Sequence, residues 1–180
     1  MRQLIRVVSV CLFLAAAPSS AEGVGIKAGG GLILDPSRWG GHVSFEIPIG
    51  GDYPLSVAPF FELYEKDGEK GMPTGVSLLY EAPLSEQGGN IYFGAGLGFL
   101  LRRGSVLGQS NLTDSSNDLM MTAAGGFSFG VTEQVGIFAQ TRWFVSLVDE
   151  AQSPFDLEYG TASSKNEITL IVGLNFQIGE

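Results

Sequence analysis

The chain has 180 residues, with 26 glycines, 44% hydrophobic residues, one cysteine and a formal net charge of −9. This length suits a single domain. The acidic balance excludes a nucleic-acid binder, which needs a basic face, and one cysteine excludes a disulfide-stapled scaffold. The glycine and apolar contents are therefore the features that the fold has to explain.

The first 21 residues differ from the rest of the chain. Arg2 and Arg6 precede an apolar stretch from Val7 to Ala17, and small residues follow it. This order is typical of a cleaved secretory signal, and the stretch is shorter than the ~20 residues of a membrane-spanning helix. We expect residues 1–21 to be removed and 22–180 to form one domain. Because the signal holds two of the ten basic side chains and no acidic one, the domain carries a net charge of −11.

Within the domain, hydrophobic residues alternate with polar or small residues in eight segments. Because successive strand side chains point to opposite sides, each segment predicts a strand with one apolar face and one polar or small face. Strands of roughly 9 to 13 residues have the length that crosses a bilayer when tilted. In chain order the predicted strands cover 24–34, 42–49, 55–64, 75–82, 91–102, 119–131, 135–147 and 167–178.

The connections between these strands alternate in length. The segments 50–53 and 132–134 are tight, whereas 103–116 and 149–166 are long, and 65–72 is of intermediate length. Long loops on one side and short turns on the other are typical of an outer-membrane barrel. We therefore predict an all-β fold, an eight-stranded antiparallel up-and-down transmembrane β-barrel.

Proline placement agrees with these strands in most places. Pro54, Pro73 and Pro83 fall at predicted strand ends. Pro59 falls inside a predicted strand, where the missing N–H requires a bulge or an unpaired position.

Charged residues on the predicted strand faces are few, and all lie on the polar or small face. Isolated charges in a narrow lumen would be desolvated, so we expect ion pairs or a water-linked network there. A gated passage or proton path is the functional alternative to lumen filling. With the neighbouring Gln140, the predicted lumen network comprises Lys27, Glu46, Glu62, Glu81, Arg102, Gln140, Arg142 and Glu167.

Aromatic residues on the apolar face form two predicted groups. Outer-membrane barrels carry aromatic girdles at both membrane interfaces, although aromatic residues are common in any strand. We assign Phe61, Phe99 and Trp143 to the outer rim, and Tyr80, Phe93, Phe127, Phe129 and Phe176 to the inner rim.

From Val24 to Ile178 this pattern resembles the small eight-stranded outer-membrane barrels of the OmpA, OmpX and OmpW kind. The likeness is strongest in the last strand, where Phe176 and Ile178 continue the alternation, although the family usually ends on an aromatic and this chain ends Gly179-Glu180. The resemblance implies a monomer in the outer membrane of a Gram-negative bacterium. It also implies Glu–Arg and Glu–Lys pairs in the lumen, and outer-membrane lipids and the barrel-assembly machinery as partners, with no cofactor.

One short motif contains the residue types of acyl-transfer chemistry. His42-Val43-Ser44, with Glu46 nearby, offers a base, a nucleophile and a carboxylate. The motif is similar to the His-x-Ser of outer-membrane lipid A deacylases. Residues two apart on a strand are ~6 to 7 Å apart, which is too far for a direct hydrogen bond between His42 and Ser44 unless a side-chain rotamer closes the gap. We therefore expect no catalytic site.

Metal binding has little support in the sequence. The domain has one histidine and no cysteine, so no zinc-type cluster is expected. The loop acids Asp149, Glu150, Asp156 and Glu158 predict a solvated acidic loop, with a hard cation as the alternative.

The charge distribution indicates where a partner would bind. The end with the longer loops has ten acidic and five basic residues in or beside its loops. The leading hypothesis is a non-enzymatic outer-membrane barrel with a structural or surface-interaction role, in envelope integrity or adhesion, through acidic extracellular loops. The alternatives are a narrow channel for small or hydrophobic solutes, as in OmpW-like barrels, and a soluble periplasmic lipocalin-like binder.

Overall fold

The protein forms a closed β-barrel. The computed structural model describes residues 23–34, 37–49, 54–66, 69–85, 89–105, 113–147 and 166–179, so the expected signal at 1–21 lies outside the described residues. The strands are β1 (Val24–Ile33), β2 (Arg38–Ile49), β3 (Leu55–Lys66), β4 (Glu69–Ser85), β5 (Gly89–Ser105), β6 (Thr113–Gly130), β7 (Val135–Ser146) and β8 (Asn166–Ile178).

Every strand pairs antiparallel with the next, and β8 pairs with β1 to close the sheet. The predicted all-β, eight-stranded antiparallel fold is confirmed. In the described part of the chain, no helix is both long enough and apolar enough to cross a membrane. We call the end that carries the connections around residues 35–36, 67–68, 106–112 and 148–165 the loop end. The opposite end, where β1 begins and β8 ends, is the terminal end.

Several strands extend beyond their predicted limits at the loop end. β4, β5 and β6 contain 17, 17 and 18 residues, more than the 9 to 13 expected. Glu65 pairs with Lys70 inside a segment that was predicted to be a loop. Because polar side chains can flank a ladder outside the apolar band, hydrophobic alternation does not detect these strand ends.

Two proline predictions have different outcomes. Pro83 lies two residues before the end of β4, where the register shifts, whereas Pro73 lies inside β4, so placing Pro73 at a strand end was wrong. Pro59 lies inside β3, and the β2–β3 ladder omits it together with Ala58, as expected for a residue without an N–H. The missing pairs interrupt the ladder between Ser44 and Ile47 of β2.

Buried charged side chains lie inside the barrel, and the exposed outer face of the wall is largely apolar. Glu62 and Arg142 are 0% and 1% exposed, whereas Leu97 and Val172 are 59% and 64% exposed. This is the reverse of a soluble barrel and matches a barrel with an apolar exterior.

Glycines on the inner face of the wall allow neighbouring strands to pack closely. A Cβ at the inward-facing Gly96 would collide with the backbone of Val76 and Ser77 on the neighbouring strand. A Cβ at the outward-facing Gly41 would meet no atom closer than 3.8 Å. Inward glycines therefore allow neighbouring strands to curve tightly around a narrow lumen.

Candidate functional site: the polar lumen

Glu62 of β3 is the centre of the polar lumen. It lies opposite His42 of β2 in the strand register, and His42 Nδ1 is 3.0 Å from Glu62 Oε1. The Tyr64 hydroxyl donates a hydrogen bond of 2.7 Å to Glu62 Oε2. Arg142 of β7 reaches across the lumen, and its Nε lies 3.3 Å from Glu62 Oε1 in an ion pair. One carboxylate thus contacts side chains from three strands, β2, β3 and β7.

Arg142 has aromatic as well as acidic contacts. Its guanidinium carbon lies 3.7 Å from the centroid of the Phe60 ring, and its Nη1 donates to Ser77 Oγ at 3.4 Å. A cation over a ring face is attracted by the ring quadrupole, most strongly where water is excluded. These contacts and Glu62 together offset the desolvation of a buried charge.

A second ion pair lies nearer the terminal end. Lys27 Nζ donates to Glu46 Oε1 and also lies 3.5 Å from the centroid of the Tyr92 ring. Glu81 accepts a hydrogen bond of 3.2 Å from Ser56 Oγ. Because every carboxylate named so far has a donor, the lumen charges are organised rather than scattered.

His42 and Ser44 make a direct contact that the sequence did not predict. His42 Nε2 lies 3.1 Å from Ser44 Oγ, so the side-chain rotamers close the gap between the two positions. The expected spacing describes the backbone positions, and the imidazole ring spans the difference. The carboxylate facing His42 is Glu62, not the Glu46 of the motif, and cross-strand register is the signal that would identify it.

The remaining predicted lumen residues are placed as follows. Gln140 and Glu167 are buried inside the barrel, each 4% exposed, and Glu81 is half-buried. The backbone of Arg102 pairs with that of Gly71 and Ser116, and its side chain lies outside the described part of the structure.

The predicted rim aromatics are on the outside of the wall. Phe176 is half-buried, and Tyr80 and Phe93 stack across β4 and β5 with centroids 5.2 Å apart. Trp39, 73% exposed near the loop end, is a further outward aromatic, which lies before the predicted start of the second strand at residue 42. The other exposed members are Phe61, Phe99, Phe127, Phe129 and Trp143.

Large side chains fill the middle of the lumen. Two buried apolar clusters flank the charges, one of Ala58, Leu79, Tyr92 and Ala124 and one of Phe60, Leu100, Met120 and Phe144. These large residues share the inward face with the polar and small residues that the sequence predicts there. Because most of these side chains are under 5% exposed, the described lumen offers no water-filled passage through its middle.

Ion conductance should therefore be absent. We expect planar bilayers containing the folded barrel to show no more current than bilayers treated with detergent alone. Arg142→Ala should be equally silent, because Phe60, Tyr64 and Phe144 still occupy the lumen. Reproducible single-channel steps from the wild-type protein would contradict this expectation.

The described ranges contain no candidate metal site. No group of three or more His, Cys, Asp or Glu side chains there could hold a metal ion. The acids Asp149, Glu150, Asp156 and Glu158, considered for a hard cation, lie outside the described residues.

The comparisons with known proteins agree at the level of the fold. No protein-family model matches the chain, and no curated protein sequence matches it. Among solved structures, the N-terminal barrel domain of Pseudomonas aeruginosa OprF is 17% identical with a TM-score of 0.62, covering 87% of this chain and 98% of that one. Neisserial surface protein A (NspA) is 15% identical with a TM-score of 0.64, covering 87% and 96%.

A third similar structure is Ail, the attachment invasion locus protein of Yersinia pestis. It is 14% identical with a TM-score of 0.55, covering 87% of this chain and 97% of that one. Ail has also been solved in complex with the heparin analogue sucrose octasulfate. These proteins and this chain share the fold of a closed eight-stranded β-barrel. The chain therefore has the fold of the small eight-stranded outer-membrane β-barrels.

Proposed function

We propose that this chain is an integral outer-membrane barrel whose role is structural or surface contact, in envelope integrity or adhesion, through its acidic loop end. The observation that carries the proposal is the combination of an apolar exterior with a filled, ion-paired lumen. An apolar wall suits lipid, and a filled lumen leaves the ends of the barrel as the surfaces for a partner. The similar fold of OprF, NspA and Ail supports this placement.

The charge of the loop end favours a particular class of ligand. Ten acidic and five basic residues lie in or beside its loops, and Glu65 pairs with Lys70 there at 3.2 Å in an exposed ion pair. Ail binds a polyanion, the heparin analogue. A loop end with excess carboxylates repels polyanions and attracts cationic surfaces, so we propose a cationic partner for this chain.

Other partners belong to the same proposal. Exposed aromatic side chains such as Trp143 and Phe93 would lie at the lipid interfaces. Export through the signal at 1–21, insertion by the barrel-assembly machinery and a monomeric state complete the proposal for a Gram-negative envelope.

The test neutralises the loop end and compares it with the terminal end. The variant Asp149→Asn/Glu150→Gln/Asp156→Asn/Glu158→Gln is expressed on cells, and adhesion to polylysine-coated and heparin-coated surfaces is counted at low and high salt. We expect wild-type cells to prefer polylysine, and the variant to lose severalfold in adhesion at low salt, because exposed charges are screened by salt.

The matched control neutralises acids at the terminal end with Asp52→Asn, Glu86→Gln and Glu133→Gln, and should adhere like wild type. Equal adhesion of the two variants would contradict the role of the loop end. Recovery of the mature protein in the soluble fraction without detergent would overturn the membrane proposal and favour a lipocalin-like binder.

A further inference from the structure

Three side chains of the polar lumen, Ser44, His42 and Glu62, are joined by hydrogen bonds that filling the lumen does not require. We propose that Ser44 is an activated nucleophile, with His42 as its general base and Glu62 as the residue that positions His42, and that it hydrolyses small esters entering from the terminal end. This activity goes beyond the surface role proposed above.

The hydrogen bonds fix the roles of the three side chains. Glu62 Oε1, 3.0 Å from His42 Nδ1, accepts the proton of that nitrogen, which leaves Nε2 free to accept from the Ser44 hydroxyl at 3.1 Å. A base within hydrogen-bond reach of the nucleophile, itself oriented by a third group, is the signature of an activated serine. Ser44, His42 and Glu62 are 2%, 4% and 0% exposed, so no bulk water competes for these bonds.

Glu62 is itself held in place. The Tyr64 hydroxyl donates to its second oxygen, and Arg142 pairs with the first. A carboxylate fixed on both oxygens cannot rotate away from His42, so the imidazole keeps one tautomer and one orientation. Pre-organisation of this kind is what positions a catalytic base.

Lys27 supplies a cation beside the nucleophile. In the β1–β2 register Lys27 is the direct partner of Ser44, which places their Cβ atoms about 5 Å apart. Glu46 accepts from its ammonium group, and an ammonium has three donors. Lys27 is therefore placed to stabilise the negative oxygen that forms when an ester carbonyl is attacked.

A substrate would approach Ser44 from the terminal end. A cavity of about 170 Å³ opens there between Asn90, Ser128, Asn175 and Gln177 and the β6–β7 turn. Asn175 pairs with Lys27 across β8 and β1, and Lys27 pairs with Ser44 across β1 and β2. Ser44 thus lies two strand spacings, about 10 Å, from the cavity wall. The Lys27 side chain, 1% exposed, lies between them, so it has to swing aside before a small ester reaches Ser44.

The proposed reaction is hydrolysis of an ester, with water as the second reactant. Ser44 Oγ attacks the acyl carbon, its proton moves to His42 Nε2, and the leaving alcohol takes that proton as its bond to the acyl carbon breaks. Water then attacks the acyl-serine with His42 again accepting the proton, which returns to Ser44 as the carboxylic acid leaves.

The first experiment measures p-nitrophenyl acetate hydrolysis by the folded barrel in detergent micelles. We expect Ser44→Ala and His42→Ala to reduce the rate by about 100-fold or more, since a positioned base contributes that much. The matched control is Thr122→Val, which changes another buried lumen residue, 3% exposed, and leaves Ser44, His42 and Glu62 unchanged. Heat-modifiable gel migration verifies that each variant is folded.

The second experiment detects the covalent step directly. Phenylmethylsulfonyl fluoride should form an adduct that peptide mass spectrometry locates on Ser44 in the folded wild type, and not in His42→Ala or the urea-unfolded chain. For the positioning role of Glu62, Glu62→Asp should keep part of the rate that Glu62→Gln loses. A wild-type rate equal to that of Ser44→Ala, or no adduct on the folded barrel, overturns the proposal.

Discussion

Replacing Glu62 by Gln is expected to lower the free energy of unfolding of the barrel by about 3–5 kcal/mol, the cost of leaving a buried charge without its partner. Arg142, 1% exposed, would lose its counter-charge. His42 and Tyr64 would lose their carboxylate acceptor at the same time. The measurement is equilibrium unfolding in urea in detergent micelles, followed by tryptophan fluorescence.

A control for this result lies on the same strand. Glu65 pairs with Lys70 at 3.2 Å, but both side chains are about half exposed. Glu65→Gln should therefore change the stability by at most about 1 kcal/mol. The double variant Glu62→Gln/Arg142→Met removes both buried charges and should recover part of the loss, because paired residues are not additive. Equal destabilisation by Glu62→Gln and Glu65→Gln would show that Glu62 does not hold the lumen together.

Gly96→Ala is expected to destabilise the barrel by about 3 kcal/mol or more, at the upper end of the cost of overpacking. The added Cβ would collide with the Val76 carbonyl oxygen and the Ser77 Cα. These are backbone atoms within the β4–β5 ladder, which cannot move aside without breaking strand pairing. The loss should appear both in urea unfolding and as a reduced fraction of heat-modifiable, folded protein.

Gly41→Ala provides the matched comparison on the outside of the wall. The nearest atom to its added Cβ is the Gly29 carbonyl oxygen at 3.8 Å, an ordinary contact distance. Removing a glycine at a strain-free position reduces the entropy of the unfolded chain and stabilises by about 0.4–1 kcal/mol. If Gly96→Ala were as stable as Gly41→Ala, the inward glycines would not be a steric requirement of the barrel.

The sequence predicts the fold better than it predicts the site. In β8, Ile168 and Leu170 alternate with Glu167 and Thr169, and period-two alternation assigns such faces without knowledge of the partner strand. The ends of β4 to β6 were missed because polar residues such as Lys70 continue the ladder beyond the apolar band.

The contact between His42 and Glu62 was not predicted, for a different reason. His42 meets Glu62 only because β2 and β3 pair in one register, and a shift by one residue would turn the partner side chain outward. No local pattern encodes that register. Residue type likewise does not tell whether an inward Tyr92 or Phe144 reaches the centre of the lumen, which depends on the barrel radius.

The pairing of β1 with β8 has a consequence for how the chain folds. Val24 pairs with Ile178, so the contact that closes the cylinder joins the first strand to the last. Contacts so distant in sequence form only after most of the chain is ordered, which makes folding slow. Until that seam forms, β1 and β8 each present an unpaired edge that can recruit another chain. The time before the last strand docks is therefore when aggregation competes with folding.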